Sequence, residues 1–274
     1  MHSGFDQLIR PRKGWEPIDF REIWSYRELL GFLVLREVQI RYRQTLLGGL
    51  WAIFQPLFAM LIFTVLFNRL AGISADGPPY PLFAYSGLVV WTFFANALSA
   101  SSASLVNNRQ LVSKVYFPRL FLPLGSIGGL VVDMFVALIL VGALMLYYAW
   151  PPSPRLVLLP VFVVGAFLAA AGSGFTLSAL NVSFRDVKYV TPFFVQMGLF
   201  ITPVIYPVRY VPERYQALLG VNPMAGMVEG FRHSLLGTPI RWDMIAISFS
   251  TSVALFLAGL LIFRRMERRF ADAI

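Results

Sequence analysis

Few residues in this chain have the types and spacing that chemistry on a nucleotide or a metal requires. A phosphate-binding P-loop needs a Gly-Lys pair, and none of the three lysines, Lys13, Lys114 and Lys188, follows a glycine. There is no cysteine, which excludes a thiolate nucleophile and a thiolate metal site. The two histidines, His2 and His233, are too few for a histidine-rich centre. The sequence therefore predicts neither an enzyme nor a chain that binds ATP through a P-loop.

One acid, Asp133, stands near the middle of a long apolar stretch. A charge inside a membrane is costly and often marks a proton relay. A lone acid that hydrogen-bonds to a neighbouring helix is the interpretation we favour, because no second ionisable group accompanies it in that stretch. Nearby, Gly125 and Gly129 have the small-xxx-small spacing that lets helix backbones approach closely.

The composition indicates a membrane protein. Charged residues make up 14% of the 274 residues, against about 25% in soluble domains. Hydrophobic residues make up 57%, more than a soluble chain of this size can hide from water. The net charge of +9 could indicate a nucleic-acid partner, but basic loops that flank membrane helices explain it better.

The fold class we predict is an all-α integral membrane protein with six transmembrane helices. About 20 helical residues are needed to cross about 30 Å of hydrocarbon. The third stretch is longer than one perpendicular crossing needs, and the fifth is short and contains Pro192 and Pro203. The six stretches that qualify are residues 51–70, 81–106, 120–148, 156–180, 190–206 and 244–263.

The distribution of basic residues predicts the orientation. In a six-span arrangement, most of the lysines and arginines fall on one side: in the N-terminal stretch, in the loops after the second and fourth spans, and in the C-terminal tail. The positive-inside rule then places both termini in the cytoplasm.

Two segments are neither spans nor simple loops. Residues 26–44 mix leucines and valines with arginines, which predicts an amphipathic helix at the cytoplasmic interface. Residues 208–242 contain short apolar pieces broken by proline and glycine, which predicts short re-entrant helices. We therefore expect an N-terminal cytoplasmic tail over residues 1–17 and a single transmembrane domain over 18–274.

Four stretches resemble the membrane subunit of ABC exporters for polysaccharides and polyol phosphates, which move O-antigen, capsule or teichoic acid chains. They occur in the family's order, and the resemblance runs from about Trp24 to the end of the chain. The stretches are Arg41–Pro56 (RYRQTLLGGLWAIFQP), Lys114–Arg119 (KVYFPR), Asn181–Pro207 (NVSFRDVKYVTPFFVQMGLFITPVIYP) and Asn222–Gly237 (NPMAGMVEGFRHSLLG).

The resemblance implies that two permeases pair with two copies of a separate nucleotide-binding ATPase subunit, which would hold ATP and Mg²⁺. This chain would then carry no cofactor of its own. The resemblance also implies that residues 107–119 hold the helix that meets the ATPase, although a basic positive-inside loop is the alternative. The candidate coupling residues are Arg109, Leu111, Lys114, Val115, Tyr116, Phe117 and Arg119, with Arg185 and Asp186 as a brace in the next cytoplasmic loop.

A lipid-linked glycan is larger than the interior of six helices, so we expect its path to lie at a homodimer interface. Aromatic rings offer flat surfaces for the C–H faces of sugars, and aromatics make up 15% of the chain. Most of them must face lipid. The path candidates beside family motifs are Phe54, Phe58, Phe193, Phe194 and Phe200, and the gate candidates are Glu229, Arg232 and His233, for which interfacial placement is the alternative.

The resulting prediction is the permease subunit of an ATP-driven exporter that moves a lipid-linked, O-antigen-like polysaccharide outward across the cytoplasmic (inner) membrane. Alternatives are a permease for teichoic acid, capsule, lipid or drug, a membrane transferase acting on polyprenyl-linked glycans, or a scaffold. The transferase would need a catalytic acid or metal cluster at a membrane face, and the sequence offers none.

Overall fold

A computed structural model describes residues 24–43, 50–75, 77–184, 186–267 and 270. Over these residues the chain forms helices and loops, with no strand. The predicted tail at residues 1–17 lies outside the described residues. The α-helices are α1 (Arg27–Tyr42), α2 (Trp51–Phe63), α3 (Tyr80–Asn107), α4 (Arg109–Lys114), α5 (Phe121–Tyr147), α6 (Leu159–Ser183), α7 (Val187–Ile201), α8 (Glu213–Leu219), α9 (Pro223–Leu236) and α10 (Trp242–Glu267).

Five helical stretches among the described residues are long and apolar enough to cross a membrane: Trp51–Leu70, Tyr80–Asn107, Phe121–Tyr147, Pro154–Ser183 and Trp242–Glu267. They correspond to the first, second, third, fourth and sixth predicted spans. In the first, α2 continues as π-helical turns over Thr64–Leu70, and in the fourth, a 3-10 turn over Pro154–Leu158 precedes α6.

The predicted fifth span, residues 190–206, differs from the structure. Its helix, α7, has 15 residues and ends at Ile201, where Thr202 adopts an extended conformation. At about 1.5 Å per residue α7 is about 22 Å long, less than the ~30 Å of a bilayer core. The helix alone is therefore too short for a full crossing.

The most buried of the candidate spans is α3, which packs against α5, α6, α7 and α9. Polar contacts fix it to α6: the side chain of Asn181 donates to the Ser102 carbonyl at 2.9 Å, and the hydroxyls of Ser104 and Ser178 lie 3.2 Å apart. In an apolar surrounding such contacts fix the rotation of one helix against another.

Glycines let α6 and α10 pack backbone against backbone. A Cβ added to Gly259 would fall on the carbonyl oxygen of Gly172, and one added to Gly172 would meet the backbone of Leu255. Small residues at these two positions therefore let the two helix backbones approach closely.

Glycines on α5 receive α1 in the same way. A Cβ on Gly125 would lie 3.1 Å from the Cβ of Leu33, and one on Gly129 would lie 3.1 Å from the Cβ of Glu37. The paired positions advance together along both helices, so α1 runs beside the first half of α5 and in the same direction. The prediction of a close helix contact at these glycines is confirmed.

The end of α1 is fixed by the acid singled out in the sequence. Arg41 donates to the carboxylate of Asp133 at 2.7 Å, and the Tyr42 hydroxyl also donates to it. The predicted hydrogen bond from this acid to a neighbouring helix is therefore confirmed. The α1 surface turned away from α5 exposes the large apolar side chains of Phe32, Leu35 and Ile40.

Candidate functional site

The segment predicted to couple to an ATPase is a short helix, α4, followed by an extended turn. Several of its predicted members are exposed, namely Arg109, Lys114, Val115 and Tyr116. Leu111 and Arg119 are partly buried, and Phe117 is only 7% exposed because it belongs to the hydrophobic core. The exposed members form one surface at the end of α3, and Phe117 anchors it from beneath.

Hydrogen bonds join both flanks of this segment to distant parts of the chain. Arg36 on α1 donates to the side-chain oxygen of Asn108 at 2.7 Å, and the amide nitrogen of Asn108 donates to the Ser104 carbonyl at 2.8 Å. On the other flank, Arg119 donates to the Glu267 carbonyl at the end of α10 at 2.7 Å. Neither partner of Arg36 or Arg119 was singled out in the sequence, because these pairs are widely separated along the chain.

The second predicted coupling element begins α7. Asp186 is exposed there, and its carbonyl accepts from the backbone N–H groups of Tyr189 and Val190 in the first turn. Arg185 lies outside the described residues, so the predicted brace stays a prediction.

The five aromatic path candidates lie on two helices, α2 and α7. Phe58, Phe193, Phe194 and Phe200 are each more than half exposed in the single chain, and Phe54 is partly buried. Phe54 stacks on Phe58 with ring centroids 6.1 Å apart, and Phe193 meets Phe194 edge to face at 6.2 Å. Exposed rings of this kind face lipid, a second copy of the chain or a passing substrate.

Arg232 is the most enclosed of the predicted gate residues. It is fully buried on α9 and donates to the Pro203 and Val204 carbonyls at 2.5 Å each. It also donates to the Phe83 carbonyl at 3.2 Å, while its guanidinium lies 3.5 Å from the centre of the Phe83 ring. One side chain thus joins α9, α3 and the carbonyls left without helical partners after α7.

The other two gate candidates complete the same buried layer. The Glu229 carboxylate pairs with Arg232 at 2.8 Å, so the buried charge is compensated. The Nδ1 atom of His233 lies 2.6 Å from the Thr238 carbonyl, and its ring meets Trp242 edge to face at 5.8 Å. Both residues are less than 10% exposed. The sequence analysis missed Gly87, whose lack of a side chain makes room for the Arg232 guanidinium.

A second set of contacts joins the loop after α2 to the short 3-10 turn that follows α7. The backbone N–H of Ser74 donates to the Tyr210 hydroxyl at 3.3 Å, and Arg209 donates to the Ser74 hydroxyl at 2.7 Å. The Ser74 hydrogen bond, followed by one from Arg209, lowers the pKa of Tyr210 from its ordinary value. These contacts hold the loop after α2 against the turn after α7, on the side opposite α4.

The arrangement defines a polytopic membrane protein: several long apolar helices surround a buried central helix, with a charged, exposed segment at one end and a buried polar layer at the other. Residues 28–236 match the family model described as ABC-2 type transporter, and the chain belongs to that family. No group of three or more His, Cys, Asp or Glu residues that could hold a metal ion occurs in the described part of the chain.

Curated relatives cover nearly the whole chain. The O-antigen export system permease protein RfbA of Myxococcus xanthus is 30% identical over 261 residues, covering 93% of this chain and 98% of the relative. RfbA of Klebsiella pneumoniae is 26% identical over 248 residues, covering 90% and 95%. The polysialic acid transport protein KpsM of Escherichia coli is 24% identical over 245 residues, covering 86% and 92%.

Proposed function

We propose that this chain is the transmembrane subunit of an ATP-driven exporter that moves a lipid-linked, O-antigen-like polysaccharide outward across the cytoplasmic membrane. The observation that carries the proposal is the 30% identity to an O-antigen export permease over almost the full length of both chains. A capsule polysaccharide is the second candidate, favoured by the similarity to KpsM.

The transmembrane arrangement that we propose has six crossings in a single domain over residues 18–274. The extended residues after α7, together with the α8–α9 hairpin, would complete the fifth crossing that α7 is too short to make alone. Both termini and α4 would then lie in the cytoplasm, as the distribution of basic residues favours. The exposed apolar side chains of α1 would lie at the lipid interface.

The energy source in this proposal is a separate nucleotide-binding subunit, present in two copies, that holds ATP and Mg²⁺. The exposed surface of α4 and the residues after it supports such docking, because it combines the cations Arg109 and Lys114 with the apolar side chains of Val115 and Tyr116. Apolar anchors within a charged rim are typical of protein interfaces.

The path for the glycan would form between two copies of the chain. Support comes from the aromatic surfaces of α2 and α7, which a single chain leaves uncovered. Flat aromatic surfaces let sugar rings slide without fixed hydrogen bonds.

The test is complementation. Deleting the gene should remove polysaccharide from the cell surface and leave lipid-linked glycan inside the cell, and restoring the gene should reverse both effects. Surface polysaccharide at the normal level without this chain would overturn the proposal. Loss of a capsule alone, with O-antigen intact, would favour the second candidate.

A further inference from the structure

A partly open cavity of about 340 Å³ lies between α2, α3, α5 and the end of α1, and polar side chains interrupt its mostly apolar lining. This volume is at the lower end of the ~300–1,000 Å³ typical of small-molecule sites. The cavity is separate from the coupling, path and gate residues described above. The side chains that give it chemistry are Arg41, Trp51, Gln55, Thr92, Asn96 and Asp133.

In the transmembrane arrangement proposed above, α2 would begin at the cytoplasmic surface of the membrane, and Trp51 is its first residue. The first turns of α2 line the cavity, so the cavity would lie near the lipid headgroups. Asp133 lies about 18 Å along α5 from Phe121, and Asn96 lies about 17 Å from the end of α3, at about 1.5 Å per residue, so both helices would continue beyond this level into the cytoplasm.

Several polar groups at the cavity have hydrogen-bonding capacity to spare. Within the part of the chain that the structure describes, the side chains of Gln55, Thr92 and Asn96 form no hydrogen bond. Pro56 lies inside α2 and has no N–H, so the Ala52 carbonyl lacks its usual helical donor, and both residues line the cavity. Polar groups that line such a cavity need water or a ligand as hydrogen-bond partners.

The charges at the cavity distinguish between possible ligands. Arg41 and Asp133 are the charged residues among the described part of the lining, and they form an ion pair at 2.7 Å, so a phosphate would compete with the carboxylate for the guanidinium. Amides and a hydroxyl suit the paired hydroxyl groups of a sugar. The ring of Trp51, which is 55% exposed, offers a flat face for its C–H groups.

We propose that this cavity binds one sugar unit of the glycan, next to its lipid anchor, before translocation begins. The inference rests on the proposed function, and it names a recognition site within one protomer rather than in the path between two. Thr92 and Asn96 would bind sugar hydroxyls, Trp51 would stack on the ring, and Gln55 would lie beside the bound sugar without being required for binding.

The absence of native cysteines permits a direct test. Gln55→Cys places one thiol at the cavity. The rate of its modification by a charged, water-soluble thiol reagent is measured on the full chain, assembled with its ATPase partner in nanodiscs without nucleotide. The probe is the lipid-linked glycan extracted from cells that lack the permease. At ten times its dissociation constant this probe should slow modification about tenfold.

Leu218→Cys is the matched control, because Leu218 is exposed on α8, away from the cavity. Its modification rate should not change when the probe is added. Adding Asn96→Leu to Gln55→Cys should abolish the protection, and protection that persists undiminished would contradict the proposed site. An equal modification rate of the Gln55→Cys variant with and without the probe would overturn the proposal.

The lipid without its glycan separates two sources of protection. If polyprenyl pyrophosphate alone protects the thiol of the Gln55→Cys variant as well as the full probe does, the site binds the anchor phosphate and the assignment to a sugar is wrong. Failure of the proposed function would appear differently, as normal surface polysaccharide in cells without the chain.

Discussion

Arg232 shows how a buried cation can hold a helix break in place. Its guanidinium donates to two carbonyls that follow α7, to a carbonyl of α3 and to the carboxylate of Glu229. Sequence analysis singled out Arg232 but could not choose between a gate contact and an interfacial residue. The choice depends on the carbonyls of Pro203 and Val204, whose positions no local pattern predicts.

Replacing Arg232 with methionine should destabilise the chain by on the order of 3–5 kcal/mol, because it removes the cation that pairs with a buried carboxylate. Thermal unfolding in detergent, followed by tryptophan fluorescence, measures the loss. Arg241→Met is the control, since Arg241 forms an exposed pair with Asp243, and exposed pairs contribute little to stability. Adding Glu229→Gln to Arg232→Met should recover part of the loss. Equal stability of the Arg232 and Arg241 variants would contradict this assignment.

Tyr42 gives a prediction for pH. Burial, and then its hydrogen bond to Asp133, raise the pKa of Tyr42 to about 12. Because the folded state favours the protonated phenol, this contribution to stability is complete below the unfolded pKa of about 10 and is lost as the pH rises through 12. The advantage of the wild type over Tyr42→Phe in chemical unfolding should therefore shrink between pH 10 and 12. A constant difference over that range would contradict the contact.

For Asp133, the residue type was enough to predict a contact between helices but not the residues that make it. A single acid in an apolar stretch was enough to predict a helix-packing contact. The partners, Arg41 and Tyr42, could not be identified, because they lie about 90 residues earlier in the chain. Two small residues one turn apart on α5, Gly125 and Gly129, signalled a close helix contact without naming the helix.

At the next scale up, long apolar helices were predicted well. Five of the predicted spans correspond to helices with shifts of a few residues at most of their ends, since about 20 apolar residues have few other solutions in lipid. The fifth span stays a prediction, because its helix α7 ends at Ile201, before Pro203. Helix α1 also differs from the simplest amphipathic arrangement, because its apolar residues divide between α5 and the exposed face.

The contact between α6 and α10 gives an element-level prediction. Gly259→Leu would force a side chain into the backbone of α6, which cannot move aside. We expect loss of the folded, monodisperse protein on size-exclusion chromatography. Gly142→Leu is the matched control, because a Cβ there meets nothing within 4 Å. Equal yields of folded protein from the two variants would show that the helices do not pack this closely.

The proposed contact of α4 and the residues after it with the ATPase can be tested without disturbing the core. Val115→Asp together with Tyr116→Asp adds charge to two exposed side chains, whereas an aspartate at Phe117 would enter the core. We expect loss of polysaccharide export and of co-purification with the ATPase, while the amount of chain in the membrane stays normal. Ala71→Asp, at an exposed position in the loop after the first candidate span, should leave export unchanged. Normal export by the double variant would remove this surface from coupling.

For the whole molecule, the proposal that a separate subunit hydrolyses ATP can be tested on the purified chain. The purified chain, free of any partner, should hydrolyse ATP no faster than buffer, because none of its lysines belongs to a P-loop. Phosphate release measures this directly. Turnover that co-elutes with the pure chain would overturn the division of labour that we propose.

The proposal that the aromatic surfaces of α2 and α7 line the glycan path can be tested in the same way. Phe58→Ala with Phe194→Ala removes two exposed rings and should slow export while the amount of assembled chain stays the same. Leu257→Ala with Leu261→Ala, at exposed positions on α10, is the control. Unimpaired export in the phenylalanine variant would show that neither ring is needed in the glycan path.

Helix α3 has α4 directly after one end and the Arg232 cluster packed against the other. At about 1.5 Å per residue its 28 residues span about 42 Å, and no proline interrupts the helix beyond its first turn. A long, uninterrupted helix of this kind moves as one rigid element. In the proposed complex with an ATPase, a displacement of α4 would be transmitted along α3 to the opposite side of the bilayer without a break in the helix.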